Sequence, residues 1–178
     1  MKNILTILSC LVILSSCKKN IDELPEASQS GANTFGLKLN GEMWVPQKAV
    51  VSGAPILEAR YSGTGGVFIN ARNFASSPNE TEFEIYLQNI SAPGSFPLNQ
   101  VTSKYPNHVA SYAYYIKRKF MPENEWITSD RFTGNVVVTK FDTANNIISG
   151  TFEFTAGSVD NTADPITVTE GRFDVKIQ

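Results

Sequence analysis

The sequence predicts an antiparallel all-β domain: a β-sandwich, with a closed lipocalin-like β-barrel as the alternative. Three observations predict it. Apolar residues recur with period two in short runs. Clusters of Gly, Pro, Asn and Asp separate the runs. No stretch of residues 34–178 shows the 3.6-residue apolar period of an amphipathic helix. Nine or ten strands of this kind form one domain, and a chain that is 42% hydrophobic and 11% aromatic has the material for its core.

The chain opens differently. Lys2 precedes an apolar run from Ile4 to Leu14, followed by Leu14-Ser15-Ser16-Cys17. This is the layout of a bacterial lipoprotein signal: charged start, apolar centre, small residues, then a cysteine. The run is too short for a permanent membrane span, which needs about 20 apolar residues. Residues 1–16 therefore read as a cleaved signal peptide and Cys17 as the lipidation site. Each buried methylene of an acyl chain contributes about 0.8 kcal/mol, and two or three chains on one residue hold a protein on a membrane where one chain does not. The partner so implied is a membrane, reached through the lipid. A plain secretory signal with a chance cysteine is the alternative.

Cys10 and Cys17 are the only cysteines. With one discarded and the other acylated, no disulfide, thiol nucleophile or thiolate metal site remains for the domain. Loss of residues 1–16 leaves 162 residues and takes the net charge from −2 to −3 with the histidine neutral. Such a balance argues against a nucleic-acid partner, which requires a basic stripe, and against a polybasic lipid patch. Lys18–Asn33 lacks aromatic residues and ends rich in Ser, Gln, Ala and Gly. With Cys17 it reads as a flexible tether, residues 17–33, before a single domain at 34–178.

The elements follow in order. Phe35, Leu37 and Leu39 alternate with polar or small residues before Asn40-Gly41, then Glu42–Val45 and Pro46. Asn-Gly between such runs is a hairpin signal, since both turn positions need positive φ. Strands are expected at Ile56–Tyr61 and Val67–Arg72, with Gly63–Gly66 as the turn between them. Thr81–Ile90 places Phe83, Ile85 and Leu87 on one face, with Glu82, Glu84, Tyr86 and Gln88 opposite. Ser111–Phe120 groups Tyr112, Tyr114, Ile116 and Phe120, the side expected to face the core, and leaves Tyr115 outward. Phe132–Phe141 and Ile147–Ala156 flank a turn at Asp142–Asn146. In the last strand, Ile166 and Val168 are even-numbered whereas Phe173, Val175 and Ile177 are odd. One straight strand cannot bury both sets, so the sequence predicts a β-bulge at Glu170-Gly171.

Two of these segments, Thr34–Pro46 and the stretch from Val136 through Ile148–Phe154 to Ile166–Val175, resemble an uncharacterised family of small lipoproteins from Bacteroidota-type bacteria that carry an all-β domain of unknown function. The resemblance implies a lipid-anchored protein of the cell envelope, at the outer membrane, with the leaflet open; it brings no catalytic residue. Asp22-Glu23 is similar to the acidic export signal of such lipoproteins, and Asp142-Thr143-Ala144 to their short O-glycan acceptor motif. A solvated tether and a plain turn are the respective alternatives.

No residue set specifies catalysis, a metal or another cofactor. His108, the only histidine, lies in a loop-like stretch and reads as a surface residue. Glu82 and Glu84 share a strand face at a spacing a glycosidase could use, but read as a solvated outer face. Asp160–Asp164 offers oxygen ligands without the calcium-loop pattern, and Gly63–Gly66 is followed by no helix that would make it a phosphate cradle. The aromatics Tyr112, Tyr114, Tyr115, Trp126 and Trp44 are the candidates for stacking on sugar rings, with Tyr115 the most exposed of them. The functional expectation is a non-catalytic, lipid-anchored binding or structural module, with a glycan or an envelope protein as partner. A carrier of an apolar ligand and a glycan-active hydrolase are the alternatives.

Overall fold

The computed structural model describes residues 23–49, 53–75, 79–118 and 124–178. The signal peptide, Cys17, Asp22 and Phe120 lie outside the described residues. Eleven strands and no helix are present among those described: β1 (Thr34–Leu39), β2 (Glu42–Trp44), β3 (Leu57–Tyr61), β4 (Val67–Asn73), β5 (Thr81–Leu87), β6 (Gly94–Leu98), β7 (Tyr112–Lys117), β8 (Asn124–Ile127), β9 (Gly134–Asp142), β10 (Ile147–Ser158) and β11 (Ile166–Lys176).

The expected all-β architecture is present, and every pairing between these strands is antiparallel. One layer runs β2-β1-β11-β10-β9-β6 and the other β3-β4-β5-β7-β8. The long β10 joins them: its body pairs with β9 and β11, while Gly157 and Ser158 at its end pair with Ile127 and Trp126 of β8. A parallel bridge between Ala59 and Ile177 brings β3 to the end of β11. The sheet thus curls through half a barrel, and its two halves face each other as the layers of a sandwich.

The hairpin at Asn40-Gly41 forms as its sequence requires, with φ of 50° and 86° at the two turn residues. The predicted bulge is also present. Gly36 pairs with Arg172 but Lys38 with Thr169, and the partner β10 shows the same slip between Phe152 and Phe154. Glu170 supplies the extra residue at φ 53°. The bulge lets Ile166 and Val168 on one side of it, and Phe173, Val175 and Ile177 on the other, enter the same core.

Between the layers an aromatic column fills the interior. Phe35 meets Trp44 at 6.0 Å, Trp44 meets Phe83 at 4.8 Å, Phe83 meets Tyr115 at 4.5 Å and Tyr115 meets Trp126 at 5.3 Å. Such edge-to-face and tilted pairs contribute beyond the area they bury. Trp44 Nε1 donates to Thr81 Oγ1 and Trp126 Nε1 to the Asp164 carbonyl, so neither buried indole N–H is left unpaired.

Three sequence expectations are corrected. Tyr115 is not the exposed tyrosine: it is 4% exposed inside the column, and Tyr112, Tyr114 and Ile116 point to the outer face of their layer. Strands β6 and β8 were not expected; the first carries Gly94 and Pro97, and the second is four residues long. The described part of the expected tether, residues 23–33, lies against the β1-β11-β10 layer. Asp174, 1% exposed on the outer face of β11, accepts hydrogen bonds from the hydroxyls of Ser28, Ser30 and Ser149 and from the backbone N–H groups of Ser30, Gly31 and Ala32. Lys140 donates to the Gln29 carbonyl and Arg172 to that of Pro25. Apart from Leu24 and Pro25, which pack over Gly36, these contacts are polar, which is why hydropathy leaves the segment unmarked.

Candidate functional site

The outer face of the β3-β4-β5-β7-β8 layer is where the polar and aromatic side chains meet. Register assembles it in rows. Arg60, Phe68, Tyr86 and Tyr112 lie directly opposite one another across four strands. The next row is Glu58, Asn70, Glu84, Tyr114 and Ile127, and the third contains Arg72, Glu82, Ile116 and Glu125. Directly opposed side chains in antiparallel pairs stand about 4.5–5.5 Å apart at Cβ. Each row is therefore continuous.

The expectation that Glu82 and Glu84 form a solvated face is corrected here. Both are half-buried. Glu82 receives the Arg72 guanidinium at 3.1 Å and that of Arg118 at 3.5 Å. Glu84 accepts from Tyr112 Oη on one oxygen and from Asn70 Nδ2, at 2.9 Å, on the other. Asn70 Nδ2 also reaches Glu82 at 3.4 Å. Burial, then the Glu84 charge and hydrogen bond, push the Tyr112 hydroxyl far above its ordinary range, so it stays a donor. Buried Tyr115 in the core is pushed up to about 12 by desolvation.

The loop between β6 and β7 roofs the aromatic row. Tyr105 N donates to Tyr112 Oη at 2.8 Å, and Lys104 Nζ reaches Tyr114 Oη at 3.0 Å and Glu125 at 2.6 Å. Burial alone would raise the Glu125 carboxyl, but the Lys104 hydrogen bond and charge outweigh it and lower it. His108 is not a free surface residue. Its ring lies 4.2 Å from Tyr86, 5.2 Å from Phe68 and 6.1 Å from both Tyr105 and Tyr112. Its Nδ1 is buried with no hydrogen-bond partner. At the rim, the Arg60 guanidinium carbon stands 4.1 Å from the Phe68 ring centre and 5.3 Å from that of Tyr105. Tyr105 remains 53% exposed.

The sequence carried one signal for this roofed face. Val67–Ala71 and Tyr112–Ile116 are buried at every position, and strands covered on both faces read as continuous apolar runs, not as alternation.

The other sequence candidates separate from this face. The Asp160 carboxylate is occupied by Ser158 Oγ, Thr162 Oγ1 and Thr162 N of its own loop, and these contacts lower its pKa. No group of three or more His, Cys, Asp or Glu side chains converges as a metal site among the described residues. Asp142 is likewise turned onto Ala144 N and Asn145 N, leaving Thr143 exposed at the hairpin tip. A cleft of about 1120 Å³ opens at the end of the sandwich, with Phe35, Val45, Ile56, Leu57 and Ile177 among its walls and Lys48 and Lys176 also lining it.

The model of a family described as a domain of unknown function, DUF6252, matches residues 39–175. No curated protein and no solved structure matches the chain.

Proposed function

The chain belongs to the DUF6252 family, and from that premise we propose that it is a non-catalytic binding module of the bacterial cell envelope, held on the outer membrane by lipid on Cys17. The lipoprotein reading rests on the Leu14–Cys17 tetrad after its apolar run. The observation that carries the binding reading is the Arg60–Tyr105 rim: a cation stacked on Phe68 beside a tyrosine left 53% exposed, on a loop hydrogen-bonded to the sheet beneath. Exposed tyrosine offers contact area at low entropic cost, because few rotamers are frozen on binding.

The hydrolase alternative has less support. Glu82 and Glu84 are engaged by Arg72, Arg118, Asn70 and Tyr112, whereas a general acid or base must be free to exchange its proton with substrate. The carrier alternative is favoured by the apolar cleft at the sandwich end, although the space between the layers is filled by the aromatic column. The test is a glycan array probed with the purified mature lipoprotein in detergent, with product analysis of each bound glycan. The reading predicts saturable binding that Tyr105→Ala abolishes and ligand recovered uncleaved. Cleaved ligand, or retention unaffected by Tyr105→Ala, would refute it.

A further inference from the structure

We propose that Arg60 and Tyr105 recognise a carboxylate-bearing sugar, a uronic acid unit of an acidic glycan; this deepens, and rests on, the binding-module reading. Arg60 is held at the rim by aromatic rings. Its neighbours across and above it are rings: the guanidinium carbon lies over Phe68 and beside Tyr105, two rings set at 90° to each other. Contact of this kind attracts the charge and uses none of the five N–H donors as a conventional hydrogen bond. No hydrogen bond or ion pair satisfies those donors among the described residues. The acidic groups nearby are committed elsewhere: Glu58 to Arg72 at 3.4 Å, and Glu84 to Asn70 and Tyr112. The guanidinium is thus packed against rings with its donors unspent.

A planar fork of N–H donors fits a carboxylate bidentately, with more geometric selectivity than a lysine offers. The ring of Tyr105 lies beside it, and the apolar face of a sugar ring can rest on such a surface. Recognition must be local, because the chain as a whole is acidic, with a net charge of −2, and repels polyanions at long range. A second polar group, on the same loop as Tyr105, also lacks a hydrogen-bond partner among the described residues: His108 Nδ1, whose ring lies 6.1 Å from that of Tyr105.

The experiment is calorimetric titration of the mature lipoprotein in detergent with trigalacturonate and with its methyl ester, which has the same ring but no charge. The acid is expected to bind at least about tenfold more tightly than the ester. Arg60→Lys, which keeps the charge and removes the fork, should weaken the acid about tenfold and leave the ester unchanged; Tyr105→Ala should weaken both. Thermal melts of the two variants report whether the fold is intact, and Arg60→Gln replaces Arg60→Lys if the latter melts early. Equal binding of acid and ester, an acid affinity indifferent to Arg60→Lys, no binding of trigalacturonate, or equal binding of an acidic peptide would each overturn the assignment. Retention of neutral glycans on the array alongside failure of trigalacturonate would overturn the uronate and leave the binding module standing.

Discussion

Asp174 shows how one side chain can hold a segment that hydropathy leaves unmarked. Its burial alone would raise the carboxyl pKa. The hydrogen bonds from Ser28, Ser149, Ala32 and Gly31 outweigh that and hold the group well below the ordinary carboxylate range. Because the folded value is depressed, the linked stability is fully present above the unfolded value of about 3.9 and is lost as pH falls through the folded value. Asp174→Asn removes the charge and part of the acceptor capacity, leaving donors of residues 28–32 unpaired. The expected cost is about 2 kcal/mol at pH 7 by urea denaturation, since hydrogen bonds to charged groups contribute about 1.5–3 kcal/mol. Between pH 5 and pH 2 the wild type should lose stability more steeply than the variant. Parallel pH profiles would contradict the clasp. Tyr115 marks the limit of residue-level reading: Tyr112–Ile116 is apolar or aromatic at both parities, so alternation alone could not say which tyrosines face inward. Pairing with β5, which puts Tyr115 opposite Phe83, decides it.

At the scale of elements, the turn and the bulge were legible because each leaves a local mark. Asn40-Gly41 interrupts the period between two paired runs, and the change of parity between Val168 and Phe173 demands one extra residue. Gly41 sits at φ 86° with nothing within 4 Å of where a Cβ would be, so a side chain there meets strain and not collision. Gly41→Val should cost about 1–3 kcal/mol, read as a lowered melting temperature; an unchanged melt would remove the turn's role in stability. Glu170 is the converse case, a residue with a Cβ held at φ 53° in the bulge. Glu170→Gly relieves that strain and loses only an ion pair with Lys38 whose partners are 35% and 48% exposed, a contact of small value. The variant should be neutral to about 1 kcal/mol more stable, whereas Glu170→Val should be destabilised. Strands β6 and β8 were illegible for physical reasons. Pro97 in β6 has no N–H to give a ladder, and of the strand's five residues only Leu98 is buried. Strand β8 buries only Trp126, too little for a period to register.

For the whole molecule, the two outer faces are covered by different means. The loop before β7 covers one with aromatic and hydrogen-bonded contacts; residues 23–33 cover the other with polar contacts to Asp174. The roofed aromatic face was only partly readable, because hydropathy marks burial without saying whether a second layer or a loop does the burying. The covering by residues 23–33 bears on the proposed anchor. A tether free to Asn33 would reach about 50 Å, but six residue steps from Cys17 to Glu23 span at most about 20 Å. If Cys17 carries the lipid, the domain stands close to the headgroups. Cys17→Ser should move the protein from the membrane to the soluble fraction with its melting temperature unchanged; continued membrane association would point to another anchor. The most direct measurement is the intact mass of the N-terminal peptide from protein isolated from its native membrane. The expected peptide begins at Cys17 and carries a diacylglyceryl group on its sulfur. A peptide that begins at Met1 with an unmodified thiol at Cys17 would contradict the proposed anchor.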